Sequence, residues 1–140
     1  MQDDVMDIRK VSDIFGISQR ALRFYEVKKL LHPTRKGRVR QFSSRDLARL
    51  KLIQRGKACG FSLDEIRTIL DLYDQPDGAK KQIEFVKKLA KTRLHELSSQ
   101  REDIENTVNN IDALVDHVGD IEADLLSGGR STSILEWRHP

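Results

Sequence analysis

Ile83, Ala90, Leu97, Ile104, Ile111 and Val118 recur every seven residues without a break. A spacing of seven is close to two helical turns, so these side chains fall on one stripe of a helix. The companion positions are Val86, Arg93, Gln100, Thr107 and Leu114, and Leu94 and Val108 widen the stripe. The polar residues in the middle of that second set argue against a simple parallel zipper. A helix over 80–118 would run roughly 58 Å at ~1.5 Å per residue. Alone in water it would leave its stripe exposed, and a chain of 140 residues has too little else to cover it. A partner helix is needed, most simply from a second copy, and packing within one chain is the alternative. The residues expected to join two copies are Ile83, Val86, Ala90, Leu97, Ile104, Ile111, Leu114 and Val118.

Charge is divided along the chain. Residues 1–73 hold 16 Lys+Arg against 9 Asp+Glu, whereas 74–140 hold 9 against 13. Within 20–57 the count is 13 basic to 2 acidic. A polyanion would be drawn to that stretch by Coulomb attraction and counterion release. A solvated basic face is the alternative that charge alone leaves open.

The segment before the long helix reads as short elements. Asp7 suits an N-cap, with Ile8, Val11, Ile14 and Phe15 on one face of a first helix that Gly16 ends. A second helix follows from about Gln19 to Lys29, with Ala21, Leu22, Tyr25 and Leu30 facing inward and Phe24 expected in the core. Two short helices joined by a glycine-containing turn describe a helix-turn-helix. Gln19, Arg20, Arg23 and Lys28 are then left outward, and a recognition helix reads base edges mainly with its N-terminal residues. Glu26 is the one acid among the basic residues of this helix and reads as the partner of an arginine.

Pro33 stops that helix, and Val39 alternates with Arg38 and Arg40 beyond a turn at Gly37. This is the pattern of a small β-hairpin, or wing, with basic residues at its tip and edge. A third helix is expected from about Ser44 to Cys59 on the stripe Leu47, Leu50 and Ile53, closed by Gly60. Ser62-Leu63-Asp64-Glu65 is a capping box that opens a fourth helix through Tyr73, burying Leu63, Ile66, Ile69 and Leu70. A turn at Gln75-Pro76-Asp77-Gly78 then marks the end of the globular part. The expected organisation is a DNA-binding domain over 1–76, a dimerisation helix over 77–120 and a flexible tail over 121–140. Ser127–Ser133 reads as a linker, and Ile134, Leu135 and Trp137 as a small apolar patch at a frayed end.

These residues resemble a known family. Ala21-Leu22-Arg23-Phe24-Tyr25-Glu26, then Lys29-Leu30-Leu31, then Arg38-Val39-Arg40-Gln41-Phe42 is similar to the signature of MerR regulators. The likeness continues through Asp46-Leu47-Ala48-Arg49-Leu50 and Gly60-Phe61-Ser62-Leu63-Asp64-Glu65-Ile66, covering about residues 7–73. One departure is Lys29, where the family usually has glycine. The resemblance implies a mainly α fold: a winged helix-turn-helix carried on an antiparallel coiled-coil dimer. It implies double-stranded DNA as partner, with a palindromic operator bent and untwisted so that RNA polymerase can engage a promoter. Arg23 and Tyr25 match the family's DNA-contacting positions. Tyr25 is then either purely structural or has its ring in the core and its hydroxyl on a phosphate. Arg38 and Arg40 would grip phosphate or minor groove, a solvated wing being the alternative.

Other chemistries find little support. The single cysteine, Cys59, excludes an intramolecular disulfide and any multi-cysteine metal or iron–sulfur site, and it suits a reducing cytoplasm. His95, His117 and His139 are widely spaced, and His95-Glu96 lacks the second histidine of a zincin motif. No phosphate-binding glycine loop, nucleophile elbow or paired carboxylates point to an enzyme. No apolar stretch approaches the ~20 residues that span a bilayer, and residues 1–10 lack a signal-peptide core. The expectation is therefore no cofactor and no metal, with a small organic metabolite as a candidate effector. Two rivals stand beside it: a coiled-coil interaction adaptor, and an architectural DNA binder without an effector.

Overall fold

The computed structural model describes residues 5–129. The first helix, α1 (Ile8–Phe15), is capped by Asp7, whose side chain accepts from the Lys10 N–H at 2.8 Å. It buries Val11, whereas Ile14, expected on the same face, is more than half exposed. The second, α2 (Gln19–Val27), opens on Ser18, whose hydroxyl accepts from the Ala21 N–H. It ends two residues earlier than the pattern suggested because Lys29 turns the backbone into the left-handed region at φ 61°. Leu30 and Leu31 are carried inward by that turn and are fully buried.

Three short strands follow one antiparallel order: β1 (Met6–Asp7), then β3 (Val39–Phe42), then β2 (Thr34–Lys36). β2 and β3 form the wing hairpin, with Arg35 opposite Arg40 and Thr34 opposite Gln41. Gly37, at φ 65°, supplies the positive φ of its tip. A hairpin this short is marginal in water by itself. Phe42, with no exposed surface, ties it to the core, and burial of a side chain of that size contributes about 1.5–3 kcal/mol. Sequence reading missed β1, where Met6 pairs with Phe42, because two residues are too few to show alternation.

α3 (Ser44–Ala58) and α4 (Leu63–Leu72) each begin with a complete capping box, Ser43 with Asp46 and Ser62 with Glu65. They pack closely because residue 56 is glycine: a Cβ there would lie 2.7 Å from the Ile66 side chain. Leu50, Ile53, Ile66 and Leu70 join Val11, Leu22 and Phe42 in one core cluster. Leu63, expected inside, packs against that cluster from its partly buried edge.

α5 (Gly78–Leu126) is one helix of 49 residues. It starts two residues before the 80–118 span read from the heptad and runs eight residues past Val118, taking in Ile121 and Leu125, which continue the two heptad sets. Residues 121–126, assigned from sequence to a flexible tail, are helical. The chain divides into two compact units between Lys87 and Lys88, inside this helix. In the first unit the Gln82 amide donates to the Ile69 carbonyl at 2.9 Å, fixing the start of α5 on α4. The apolar patch at Ile134, Leu135 and Trp137 lies outside the described residues, as does most of the linker before it.

Candidate nucleic-acid interface

The outward face of α2 carries the cations that the sequence singled out. Arg20, Arg23 and Lys28 are exposed, and Gln19 is half-buried with its side-chain oxygen accepting from Arg23 Nη2 at 3.3 Å. The cap at Ser18 matters here, because it fixes the first turn from which Gln19 and Arg20 project.

Phe24 corrects the sequence reading. Expected in the core, it is 45% exposed, with Lys28 Nζ 5.6 Å from its ring centroid. At one residue per ~100° of helical turn, Leu22 and Tyr25 already take the inward direction, which leaves Phe24 on the flank. A cation over a partly exposed ring holds Lys28 near the helix surface.

Tyr25 has its ring in the core at 5% exposure. Its hydroxyl accepts from Lys57 Nζ at 3.2 Å, and the same ammonium stands 5.7 Å from the ring centroid. The hydroxyl proton remains available to a further acceptor. Lys57 is a residue that sequence reading missed. It lies 32 positions from Tyr25, and only the packing of α3 against α2 brings the two together.

Glu26 is the arginine partner expected of it. Its Oε2 accepts from Arg40 Nε at 2.6 Å, and Arg35 Nη2 lies 3.9 Å from Oε1. Because Arg35 and Arg40 face each other across the hairpin, one carboxylate holds both strands of the wing against α2. Arg40 is only about a fifth exposed in its side chain, so it is occupied as a strut. Arg38, beside Gly37 in the turn, is the exposed cation at the wing tip.

Behind this face, buried polar residues fix the turn that ends α2. Asp46 accepts from the His32 N–H at 2.9 Å while its other oxygen accepts from Ser43. Arg49 Nε donates to the Leu30 carbonyl at 2.8 Å. Both side chains are more than nine-tenths buried. A buried charge is tolerated only when paired in this way, and removing one partner leaves the other stranded.

Along α5, Ile83, Leu97, Ile104 and Ile111 are at least half exposed, Leu114 and Val118 are more than a third exposed, and Ala90 is exposed. Val86 is half-buried. Ile83 and Val86 border a shallow apolar groove with Leu52 and Ile69. Cys59 is exposed at the end of α3, His95 and His117 lie on α5, and His139 is outside the described residues. Among the described residues no group of three or more His, Cys, Asp or Glu side chains is placed to hold a metal ion. None of the described helices is long and apolar enough to cross a membrane.

A capped helix-turn-helix with a basic outer face and a wing braced against it defines a winged-helix DNA-binding protein. The family model for MerR HTH family regulatory proteins matches residues 6–72, and that for the MerR DNA-binding region matches 47–114. The regulator HmrR of Rhizobium leguminosarum bv. viciae is 30% identical over 111 residues, covering 79% of this chain and 84% of that relative. A MerR-family regulator from Bacillus cereus has a similar structure, with a TM-score of 0.63 and 25% identity over 81% of this chain and 82% of that one. HiNmlR, a MerR regulator without a sensor domain solved bound to promoter DNA, shares the fold at a TM-score of 0.54 and 22% identity. It is matched over 90% of this chain and 92% of its own. The chain belongs to the MerR family: it is a DNA-binding transcriptional regulator, not an enzyme.

Proposed function

We propose that the protein acts as a homodimer on a palindromic promoter operator. Gln19, Arg20, Arg23 and Lys28 enter the major groove, and Arg38 grips the backbone or minor groove beside it. Arg40 contributes by holding the wing through Glu26, and Tyr25 offers its hydroxyl proton to a phosphate with Lys57 alongside. The observation that carries this reading is the single basic face made by α2 and the wing, which Glu26 joins through a hydrogen bond from Arg40 and a looser ion pair with Arg35 at 3.9 Å.

The dimer rests on the exposed α5 stripe. Antiparallel pairing of two such helices removes Ile83, Leu97, Ile104, Ile111, Leu114 and Val118 from water and sets the two recognition helices apart on the duplex. Distortion of the DNA between the half-sites then controls its use by RNA polymerase, with phosphate contacts offsetting the deformation energy. A small organic molecule biases this activity.

A gel-shift with the purified protein on the promoters of its own gene and its neighbours tests the proposal, with competitor DNA at two salt concentrations. A discrete, competitor-resistant complex is expected. Salt-sensitive smearing with no preferred fragment would fit an architectural binder instead, and no binding at low salt would fit an adaptor.

A further inference from the structure

Between α3, α4 and the first turns of α5 lies a cavity of about 380 Å3. Ala48, Leu52, Leu70 and Tyr73 give it mostly apolar walls, and Arg45 and Arg49 line it as well. The two cations differ in state. Arg45 is exposed and ion-paired with Asp74. Arg49 is 7% exposed, and its Nη2 is buried without a hydrogen-bond partner. Asp71 Oδ1 stands 3.8 Å from that nitrogen, too far for a hydrogen bond, and the Asp71 side chain is 61% exposed to water. A buried donor left without an acceptor is uncommon in folded proteins and asks for a missing partner.

We propose that this cavity binds an apolar organic molecule with a hydrogen-bond-accepting head, which meets Arg49 Nη2 while its body lies on Leu52, Leu70 and Tyr73. A carboxylate head suits best, because a guanidinium fork bonds carboxylates through charge-assisted hydrogen bonds. An ammonium head has no acceptor to offer Arg49 Nη2. Arg45 is hydrogen-bonded to Asp74, whereas Arg49 Nη2 has only the more distant Asp71 beside it, so Arg49 is the group that selects the ligand. Arg49 also holds the Leu30 carbonyl at the turn that ends α2. An occupant that pulls on this guanidinium therefore bears directly on the recognition helix. The regulatory consequence rests on the effector reading above, whereas binding to the cavity does not.

The probe is octanoate, titrated into the full-length protein and followed by methyl NMR, with octylamine as the control. Ala48→Phe fills the cavity from an exposed helix position and leaves the bond from Arg49 to Leu30 in place. Saturable shifts of the Leu52 and Leu70 methyls are expected with octanoate and not with octylamine, and at least tenfold weaker binding in Ala48→Phe. DNA binding is measured separately by gel-shift on wild type and variant. Failure of the wild type to shift promoter DNA would count against the proposed operator binding and leave the cavity result standing. The cavity proposal is overturned by an absence of saturable shifts, by equal shifts from octylamine, or by octanoate binding that Ala48→Phe leaves unchanged.

Discussion

Lys29 holds a φ of 61°, a conformation that costs an L-residue about 1–2 kcal/mol and glycine almost nothing. The family signature has glycine there, and in this chain Lys29 takes the left-handed conformation that glycine adopts most readily. Lys29→Gly should therefore raise thermal stability by up to about 1 kcal/mol, after the extra chain entropy of glycine in the unfolded state is subtracted. A loss of stability would mean that the lysine side chain holds the turn in some other way. Asp46→Ala should act in the opposite direction. It strands the His32 N–H and removes a helix cap together, and urea denaturation should show a loss of about 2–4 kcal/mol. At the DNA face, Arg23→Ala should weaken operator binding by about 1–3 kcal/mol. Unchanged affinity in a folded variant would remove Arg23 from the interface. The roles of Glu26 and Tyr25 were legible in sequence as an arginine's partner and an inward ring. Lys57 and the exposure of Phe24 were not, because both depend on how α3 and the flank of α2 meet in space.

At the scale of elements, the caps and turns carried most of the information. Asp7, Ser62 and Gly37 sit at the helix starts and the hairpin tip where local chemistry puts them. The ends of α2, α3 and α4 differ from the sequence reading by one or two residues, since fraying and cap geometry are set by tertiary contacts as much as by sequence. The close approach of α3 and α4 was invisible, because a glycine within a helix pattern does not announce what lies opposite it. Gly56→Ala should force the buried Ile66 side chain off its place and destabilise the fold by about 1–3 kcal/mol, measured by thermal unfolding. For α5, the heptad read to Val118 gave the stripe but not the length, although Ile121 and Leu125 each fall seven residues after Leu114 and Val118 and the helix carries them to Leu126. Replacing Leu97 and Ile104 together with Asp should yield monomers in sedimentation velocity that bind the operator poorly. An intact dimer would overturn the assignment of the seam.

For the whole molecule, the separation of charge is the property that ties fold to function. The basic excess lies almost wholly in the segment that builds the helix-turn-helix and wing, and the long helix and tail are net acidic. Association with DNA should then fall steeply with salt, by a power set by the number of phosphates neutralised. Sequence alone could divide the charge this way but could not say that one carboxylate, Glu26, turns two wing arginines toward the protein and leaves the α2 cations and Arg38 to face outward. Nor could it say what the α5 stripe packs on, since a periodic apolar face specifies a partner only by shape and register. The most direct test is fluorescence anisotropy on an operator duplex and on its scrambled counterpart, at about 50 and 200 mM salt. Salt should weaken both complexes steeply, and the operator should stay at least 10³-fold tighter than the scrambled duplex, about the low end for specific binding. Equal affinity for the two duplexes at both salt concentrations would contradict the account.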